Sequence, residues 1–320
     1  MGIKPRSLKP RSLKPGDTVA LVAPSFHFDK ARFQEGKKLL VTLGLKVVHE
    51  PTVETHQGLF AGSPRRRVRE LLRWCADPKV AAIIGIRGGS GCAEIYPEFR
   101  KQLSRIRGLQ PKIFVGYSDL TVLLNGLHTD FGWVTFHGPM IVGRPFREPH
   151  PLELKTLKHC LFDGGAALGA ISGHGLETLI PGKASGRIMG GCLTVLSSVV
   201  GTDLQLNARG RILFLEDIGE APYRLRRSLH QMRASGALKG VRGIIVGALT
   251  DCEPHQDAYK NVSAKDVFRE VLADLDVPVL WGFPAGHGAL QCTIPLGVRV
   301  EIVAPSRGKA VVRFTEASSP

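Results

Sequence analysis

The sequence predicts an α/β protein with two domains: an N-terminal Rossmann-like domain on a parallel sheet, and a C-terminal mixed α/β domain that is rich in strands. In the first half of the chain, short apolar runs alternate with helical patterns, as in parallel strands joined by helices. The second half also holds both patterns, and it ends in two successive strand-like runs. At 320 residues the chain is long enough for two domains of ordinary size.

The first predicted strand, residues 18–22, follows a Gly-Asp turn and is apolar along most of its length. Later apolar runs of this half are bounded by turn-forming or charged residues, and helical patterns separate them. The other predicted strands of this half cover residues 45–49, 81–86 and 112–117, and the predicted helices cover 29–43, 68–74 and 120–127.

The second half is predicted in the same way, from apolar runs and helical spacing. Its predicted strands cover residues 182–189, 211–215, 243–246, 279–282, 298–303 and 309–314, and its predicted helices cover 193–200, 224–234 and 264–273. Strands and helices are mixed in this order, so a regular doubly wound sheet is a weaker prediction here than in the first half.

The chain is expected to fall into four parts. Two copies of Lys-Pro-Arg-Ser-Leu leave no room for a fold, so residues 1–13 are expected to form a disordered basic extension. Residues 14–160 would form the N-terminal α/β domain. Proline-rich and glycine-rich stretches then predict a linker at 161–181, and residues 182–320 would form the C-terminal domain.

Composition excludes several classes of protein. The net charge of +15 attracts acidic molecules, but aromatic residues are not interleaved with the basic clusters, so no nucleic-acid partner is predicted. No apolar run reaches the roughly 18 residues that a membrane span needs, and no secretory signal is recognisable, so a cytoplasmic protein is expected. The six cysteines form no Cys-x-x-Cys pair, which favours free buried thiols over a zinc site.

Ser118 lies between an apolar strand and a helical pattern that begins near Leu120. A strand–turn–helix corner exposes a side chain above the sheet, and the helix N-terminus offers N–H groups to an anion. Gly116, two residues before the serine, fits a nucleophile elbow, whereas Leu120, two residues after it, does not. A serine that caps the helix is the alternative, and the residues alone leave it open.

The segment Arg87-Gly88-Gly89-Ser90-Gly91 follows a predicted buried strand. One interpretation is a tight turn that needs positive φ. Another is an oxyanion hole, because glycine lets backbone N–H groups approach a tetrahedral oxyanion closely. A phosphate-binding loop fits badly, since the segment lacks the glycine and lysine spacing of such loops.

Two further segments contain candidate catalytic side chains. Glu216 ends an apolar strand, where a carboxylate could orient an imidazole, but Asp217 could do the same. A surface or ion-paired carboxylate that faces Arg224 or Arg227 is a further alternative for Glu216. Of the eleven histidines, His287 is the best candidate base, because the glycines on both sides free its loop to present the ring. His137 comes second and is interpreted as structural.

Several motifs, in this order, resemble the LD-carboxypeptidases, serine peptidase family S66, from about residue 14 to residue 305. The motifs are Ala-Pro-Ser at 23–25, Phe-Ala-Gly at 60–62, Arg-Gly-Gly-Ser-Gly at 87–91, Gly-Tyr-Ser-Asp at 116–119, Phe-His-Gly-Pro at 136–139, Gly-Gly-Cys-Leu at 190–193, Phe-Leu-Glu-Asp-Ile-Gly-Glu-Ala-Pro-Tyr-Arg at 214–224, Gly-His-Gly at 286–288 and Ile-Pro-Leu-Gly at 294–297.

The resemblance implies a catalytic triad of Ser118, Glu216 and His287, with the backbone N–H groups of Gly89 and Asp119 as the oxyanion hole. It implies an enzyme that needs no metal or organic cofactor, that acts in the cytoplasm and that is commonly a homodimer. The implied substrate is the murein tetrapeptide. The enzyme would cleave the amide between an L-centre, diaminopimelate or lysine, and the terminal D-alanine, as in cell-wall recycling.

Two other functions remain open. A related branch cleaves the peptidyl-nucleotide antibiotic microcin C7 and is expected to stack the nucleotide on an aromatic side chain. Because residues 164–182 contain no Trp, Tyr or Phe, the murein role is favoured. The other alternative is a non-catalytic α/β protein that binds acidic ligands. From their charge alone, Arg87 and Arg224 are candidates to bind substrate carboxylates.

Overall fold

A computed structural model describes residues 7–254 and 262–320. It confirms the predicted α/β class. The chain divides into two compact units, and each has a sheet of its own. Unit 1 comprises Met1–Ala166, Cys292–Gly297 and Ala317–Pro320, and unit 2 comprises Ala167–Gln291 and Val298–Glu316.

The described residues form the following elements in chain order. The strands are β1 (Thr18–Val22), β2 (Lys46–His49), β3 (Val80–Gly85), β4 (Ile113–Gly116), β5 (Thr135–His137), β6 (Gly169–Ser172), β7 (Glu177–Ile180), β8 (Gly182–Cys192), β9 (Arg211–Ile218), β10 (Gly243–Thr250), β11 (Val279–Trp281), β12 (Ile294–Leu296), β13 (Arg299–Ala304) and β14 (Val311–Phe314). The helices are α1 (Lys30–Thr42), α2 (Pro64–Ala76), α3 (Cys92–Leu103), α4 (Thr121–Phe131), α5 (Pro151–Phe162), α6 (Leu193–Ser198), α7 (Pro222–Ala234) and α8 (Ala264–Leu272).

Unit 1 is built on a six-stranded sheet with the order β12-β5-β4-β3-β1-β2. The five strands β1 to β5 are parallel to their neighbours, and only the edge strand β12 is antiparallel. Strands β1, β3 and β4 are buried almost throughout, as expected for a parallel sheet that is covered on both faces. Because these three strands are parallel neighbours, the loops that follow them meet at one edge of the sheet.

The predicted disordered extension is wrong for the residues that the structure describes. Leu8 pairs with the strand region around Trp133: its N–H donates to the Gly132 carbonyl at 2.7 Å, and its carbonyl accepts from Val134 at 2.9 Å. Leu13 is buried, and its N–H donates to the Leu161 carbonyl. Each copy of the repeat therefore supplies a leucine that anchors the chain. Residues 1–6 of the extension lie outside the described part.

Unit 2 is built on an eight-stranded mixed sheet with the order β6-β14-β13-β8-β9-β10-β11-β7. Strands β8, β9, β10 and β11 are parallel neighbours, and antiparallel strands flank them on both sides. A core of buried hydrophobic side chains, many of them from β9, β10, α7 and α8, stabilises this unit. Among the described residues, no helix combines the length and apolar character that crossing a membrane requires.

The stretch 161–181, for which a linker was expected, contains two strands of unit 2. Strand β6 pairs with β14, and β7 pairs with β11, each in antiparallel register. Their partners lie about a hundred residues or more further along the chain, so the local sequence contains little signal for this pairing. Helix α5, just before this stretch, begins at Pro151 and is stabilised by a capping box between His150 and Glu153.

Candidate active site

Ser118 lies in a strained turn at the end of β4. The strand ends at Gly116, and a short 3-10 helix, Ser118–Leu120, leads directly into α4. Ser118 has a φ of 59°, which is left-handed and uncommon for a residue with a side chain. An N-cap residue has extended backbone, and here Tyr117 occupies that position without a side-chain cap. The helix-cap interpretation is therefore wrong, and the strain is of the kind that marks functional turns.

The glycine loop, defined as residues 87–91, lies against this serine. A Cβ on Gly88 would come within 2.9 Å of both Cβ and Oγ of Ser118, so only glycine allows this approach. Gly89 has a φ of 126°, and a Cβ there would meet the Phe26 ring at 2.4 Å. Both interpretations of the loop thus retain support: the turn needs positive φ, and its backbone comes close to the hydroxyl.

The Asp119 carboxylate ties the serine turn to two neighbouring loops. Its Oδ2 accepts hydrogen bonds from Oγ of Ser25 at 2.6 Å and from the backbone N–H of Cys92 at 3.0 Å. Asp119 and Ser25 are both buried. Ser25 was not among the predicted site residues, although its position just after the buried strand β1 was a usable signal. The carboxylate is therefore engaged in holding loops, and only its backbone N–H is left for an oxyanion.

In unit 2, Glu216 and His287 form a hydrogen-bonded pair. Oε2 of Glu216 lies 2.6 Å from Nδ1 of His287 and also accepts from the His287 backbone N–H at 3.1 Å. Glu216 is fully buried, and the His287 side chain is 11% exposed. A carboxylate can only accept, so Nδ1 carries the hydrogen and Nε2 becomes the basic nitrogen. The pair has the geometry of an oriented general base.

Local sequence explains why this pair can form. Glu216 lies on β9 and His287 follows β11, and both strands are hydrogen-bonded neighbours of β10. Gly286 has a φ of 106°, and a Cβ there would come within 2.6 Å of Oε2 of Glu216. The His287 carbonyl accepts from Oγ1 of Thr250 at 3.1 Å. The glycine permits the turn, and the threonine fixes it to β10.

The neighbouring acid, Asp217, is used differently. Its Oδ2 accepts from the backbone N–H and from Oγ1 of Thr194, both at 2.8 Å, and its Oδ1 accepts from the N–H of Ile218 at 2.9 Å. Burial raises the pKa of the Asp217 carboxyl above its ordinary range, and the hydrogen bonds from Thr194 and Ile218 oppose this. Asp217 therefore anchors the first turn of α6, whereas Glu216 contacts the imidazole.

The remaining predicted residues have other surroundings. Glu216 is not a surface carboxylate, because it is fully buried, and Arg224 instead faces Glu220 at 3.7 Å. Arg224 is exposed, and its Nε donates to Oη of Tyr223 at 3.2 Å. Arg87 is exposed and donates to the His27 carbonyl at 2.7 Å. His137 is fully buried in β5, as expected for a structural histidine.

The structure thus groups the predicted residues in two places. Unit 1 brings together Ser118, Asp119 and the glycine loop, and unit 2 brings together Glu216 and His287. In residues 7–254 and 262–320, no group of three or more His, Cys, Asp or Glu side chains is arranged to hold a metal ion.

Comparisons with known proteins agree with these motifs. The LD-carboxypeptidase N-terminal domain model matches residues 19–138, and the LD-carboxypeptidase C-terminal domain model matches residues 185–302. The chain is 34% identical over 302 residues to a probable murein peptide carboxypeptidase of Bacillus subtilis, covering 93% of this chain and 91% of that protein.

A solved structure, the muramoyltetrapeptide carboxypeptidase from Oxalobacter formigenes, matches with a TM-score of 0.80 and 26% identity over 93% of this chain and 99% of that one. The microcin C7 self-immunity protein of Escherichia coli is 27% identical over 336 aligned residues, covering 94% of this chain and 95% of that protein. Each of these alignments covers more than nine-tenths of this chain and of the relative.

Proposed function

The chain belongs to the LD-carboxypeptidase family, and on that premise we propose that it is a serine-type LD-carboxypeptidase acting on murein tetrapeptide. It hydrolyses the amide between an L-centre, diaminopimelate or lysine, and the terminal D-alanine. The product is a tripeptide, and the reaction belongs to cell-wall recycling. The chemistry proceeds through an acyl-enzyme on Ser118.

The observation that carries this proposal is the contact between Glu216 and His287. A fully buried carboxylate at 2.6 Å from Nδ1 fixes one tautomer of the ring and stabilises the imidazolium that forms when the base accepts a proton. A structural histidine has no need of a buried charged partner. The strained backbone of Ser118 supports the proposal that this serine is the nucleophile, because strained turns of this kind present the nucleophile in other hydrolases.

In the proposed first step, Nε2 of His287 accepts the hydroxyl proton of Ser118 while Oγ attacks the carbonyl carbon of the L-centre. The carbonyl oxygen becomes an oxyanion, and the N–H groups of Gly89 and Asp119 donate hydrogen bonds to it. His287 then gives its proton to the amine of D-alanine, and the C–N bond breaks. In the second step, water attacks the ester in the same way and Ser118 recovers its proton.

We propose that positively charged side chains bind the carboxylates of the substrate. Murein tetrapeptide carries carboxylates, and guanidinium groups are well suited to bind them. We assign this role to Arg87 and Arg224, which are both exposed; Arg87 is the first residue of the glycine loop, and Arg224 lies in the first turn of α7. The net charge of +15 further favours an acidic substrate.

We place the enzyme in the cytoplasm as a homodimer, as the family resemblance implies. Light scattering coupled to size-exclusion chromatography measures the mass directly. A mass near twice the 34.7 kDa of the chain supports the dimer, and a mass near the monomer value contradicts it.

The decisive experiment is incubation with murein tetrapeptide, with mass spectrometry to detect the loss of one D-alanine. Wild-type protein releases one D-alanine per peptide, and Ser118→Ala lowers kcat by several orders of magnitude with an unchanged melting temperature. Ser104→Ala, which changes an exposed serine after α3 in the same unit, serves as the matched control and retains activity. Hydrolysis by Ser118→Ala at the wild-type rate would falsify the assignment of the nucleophile.

The microcin-type activity is the second candidate, because the microcin C7 self-immunity protein matches nearly the whole chain. An aminoacyl sulfamoyl adenosine, of the kind with which that protein has been crystallised, distinguishes the two. Residues 164–182 offer no Trp, Tyr or Phe on which to stack a base, so we expect tetrapeptide to be the better substrate by kcat/KM. A higher kcat/KM for the nucleotide conjugate would reverse this choice.

A further inference from the structure

Arg67 is a buried charge that the proposed chemistry does not use. It lies on α2, and its side chain is fully buried, which is rare for arginine. Burying a charged group is costly unless partners replace its hydration. Its Nε has no hydrogen-bond partner among the described residues, so the surrounding groups offset only part of the cost of removing the guanidinium from water. The contacts of the Arg67 guanidinium indicate what this buried charge does.

The partners of the Arg67 guanidinium are mostly backbone carbonyls. Nη1 donates to the Pro24 carbonyl at 2.9 Å and to the Gly91 carbonyl at 3.2 Å, and Nη2 donates to the Glu94 carboxylate at 2.7 Å. The guanidinium also lies over the Phe60 ring, 4.7 Å from its centroid. One planar group therefore joins the loop after β1 to the loop after β3.

One of these carbonyls belongs to the glycine loop. Gly91 is the last residue of that loop and the N-cap of α3, with a φ of 113°. A Cβ at Gly91 would lie 2.4 Å from Nη1 of Arg67, so the absence of a side chain allows the contact. At the other end of the loop, Gly88 lies against Ser118. Arg67 thus holds the far end of a five-residue loop whose near end contacts the serine.

We infer that Arg67 is a positioning residue for the oxyanion hole: by holding the Gly91 carbonyl, it fixes the direction of the Gly89 N–H. This inference rests on the proposed function. Glycine-rich loops have many accessible conformations, and an oxyanion donor acts only if its direction is set before the reaction. Arg67 contacts neither substrate nor reacting atoms, so its loss affects the rate of the chemical step more than substrate binding.

The test uses Arg67→Lys and Arg67→Gln in the full-length protein. Lysine keeps the charge but cannot reach two carbonyls and a carboxylate with one planar fork. We expect kcat for D-alanine release to fall by about 10- to 100-fold, with KM within about threefold of wild type. Arg69→Lys is the matched control, because Arg69 is exposed on the same helix, and it should leave both constants unchanged.

Hydrogen exchange provides a readout that does not depend on the substrate. Peptides that cover residues 87–91 should exchange at least tenfold faster in both Arg67 variants, while peptides from unit 2 keep their wild-type rates. Wild-type exchange in this loop overturns the inference, and so does a loss of kcat that is fully explained by a smaller fraction of folded protein. If the wild type does not release D-alanine, the proposed function fails, and the exchange result still decides the role of Arg67.

Discussion

At the scale of single residues, the two neighbouring acids on β9 have separate tasks. Glu216→Gln keeps the shape of the side chain but removes the charge that orients and stabilises the imidazolium. We expect kcat to fall by about 10²- to 10⁴-fold, with a small change in melting temperature. Steady-state D-alanine release and thermal unfolding measure the two effects.

Asp217→Asn is the matched control for that prediction. It weakens the contacts with Thr194, so it should lower the melting temperature and change kcat by less than about tenfold. Equal losses of kcat in the two variants would show that the contact between Glu216 and His287 has no special part in catalysis.

Gly286 and Gly308 allow a second comparison, because both have a φ of 106°. An alanine at Gly308 meets no atom within 4 Å and adds only backbone strain, whereas at Gly286 its Cβ would lie 2.6 Å from the Glu216 carboxylate. Each substitution should cost about 1–3 kcal/mol of unfolding free energy through strain. Only Gly286→Ala should also abolish activity, and full activity in that variant at wild-type kcat would refute the coupling of this turn to the site.

The sequence predicted which residues to consider at this scale, but not how they are held. The spacing of Ser118 after an apolar strand suggested an exposed corner, yet a helix cap explained the same pattern. The left-handed φ that decides between them depends on packing against Gly88, which is thirty residues away along the chain. The choice between Glu216 and Asp217 likewise depends on where α6 and the His287 turn lie.

At the scale of elements, α2 carries a carboxyl group that makes stability depend on pH. Glu70 accepts from the Ala23 N–H at 3.0 Å and from Arg66 at 2.9 Å, and burial raises its pKa from 4.5 to about 7. Arg66 opposes this rise only in part. The folded protein therefore keeps the proton over a range of pH in which the unfolded chain has lost it.

Because the pKa of Glu70 is higher in the folded state than in the unfolded chain, the free energy of unfolding falls as the pH rises. Below pH 4.5 the group is protonated in both states, and as the pH rises from 4.5 to about 7 the folded state loses up to about 3 kcal/mol relative to the unfolded chain. The free energy of unfolding should be measured for wild type and for Glu70→Gln from pH 4 to 8. The value for wild type minus the value for Glu70→Gln should fall between pH 4.5 and about 7. A difference between wild type and Glu70→Gln that stays constant across this window would contradict the raised pKa of Glu70.

Most elements were predictable, and the strands that were not predicted share a cause. Predicted strands at 18–22, 45–49, 81–86 and 112–117 correspond to β1 to β4 within one residue at each end. The strands that were not predicted, β5, β6, β7 and β12, are three or four residues long. Such short runs gain their stability from partners, so their own sequence contains little signal. Helix α5 was not predicted either, because proline, which here begins the first turn at Pro151, is also a common loop residue.

At the scale of the whole molecule, unit 1 is completed by two short segments from the C-terminal part of the chain, Cys292–Gly297 and Ala317–Pro320. Strand β12 covers the edge of β5, and the N–H groups of Ser318 and Ser319 both donate to the Gly164 carbonyl at 2.8 Å. A fragment of residues 1–166 leaves that edge open. We expect it to aggregate or to melt well below the full-length protein.

Adding residues 292–297 to that fragment through a flexible linker should restore part of the stability, because it closes the open edge. Size-exclusion chromatography and thermal unfolding of the two fragments measure this effect. An isolated 1–166 fragment that is monomeric and as stable as the full chain would show that β12 is dispensable.

The turn at Ser118 has a consequence for engineering. Because its backbone is left-handed, glycine would fit there with less strain, to the extent of about 1 kcal/mol. A selection that rewards heat resistance alone would thus favour replacing the serine whose hydroxyl is the nucleophile of the proposed hydrolysis. Directed evolution of this protein has to screen for turnover and for heat resistance together, since the two objectives conflict at this position.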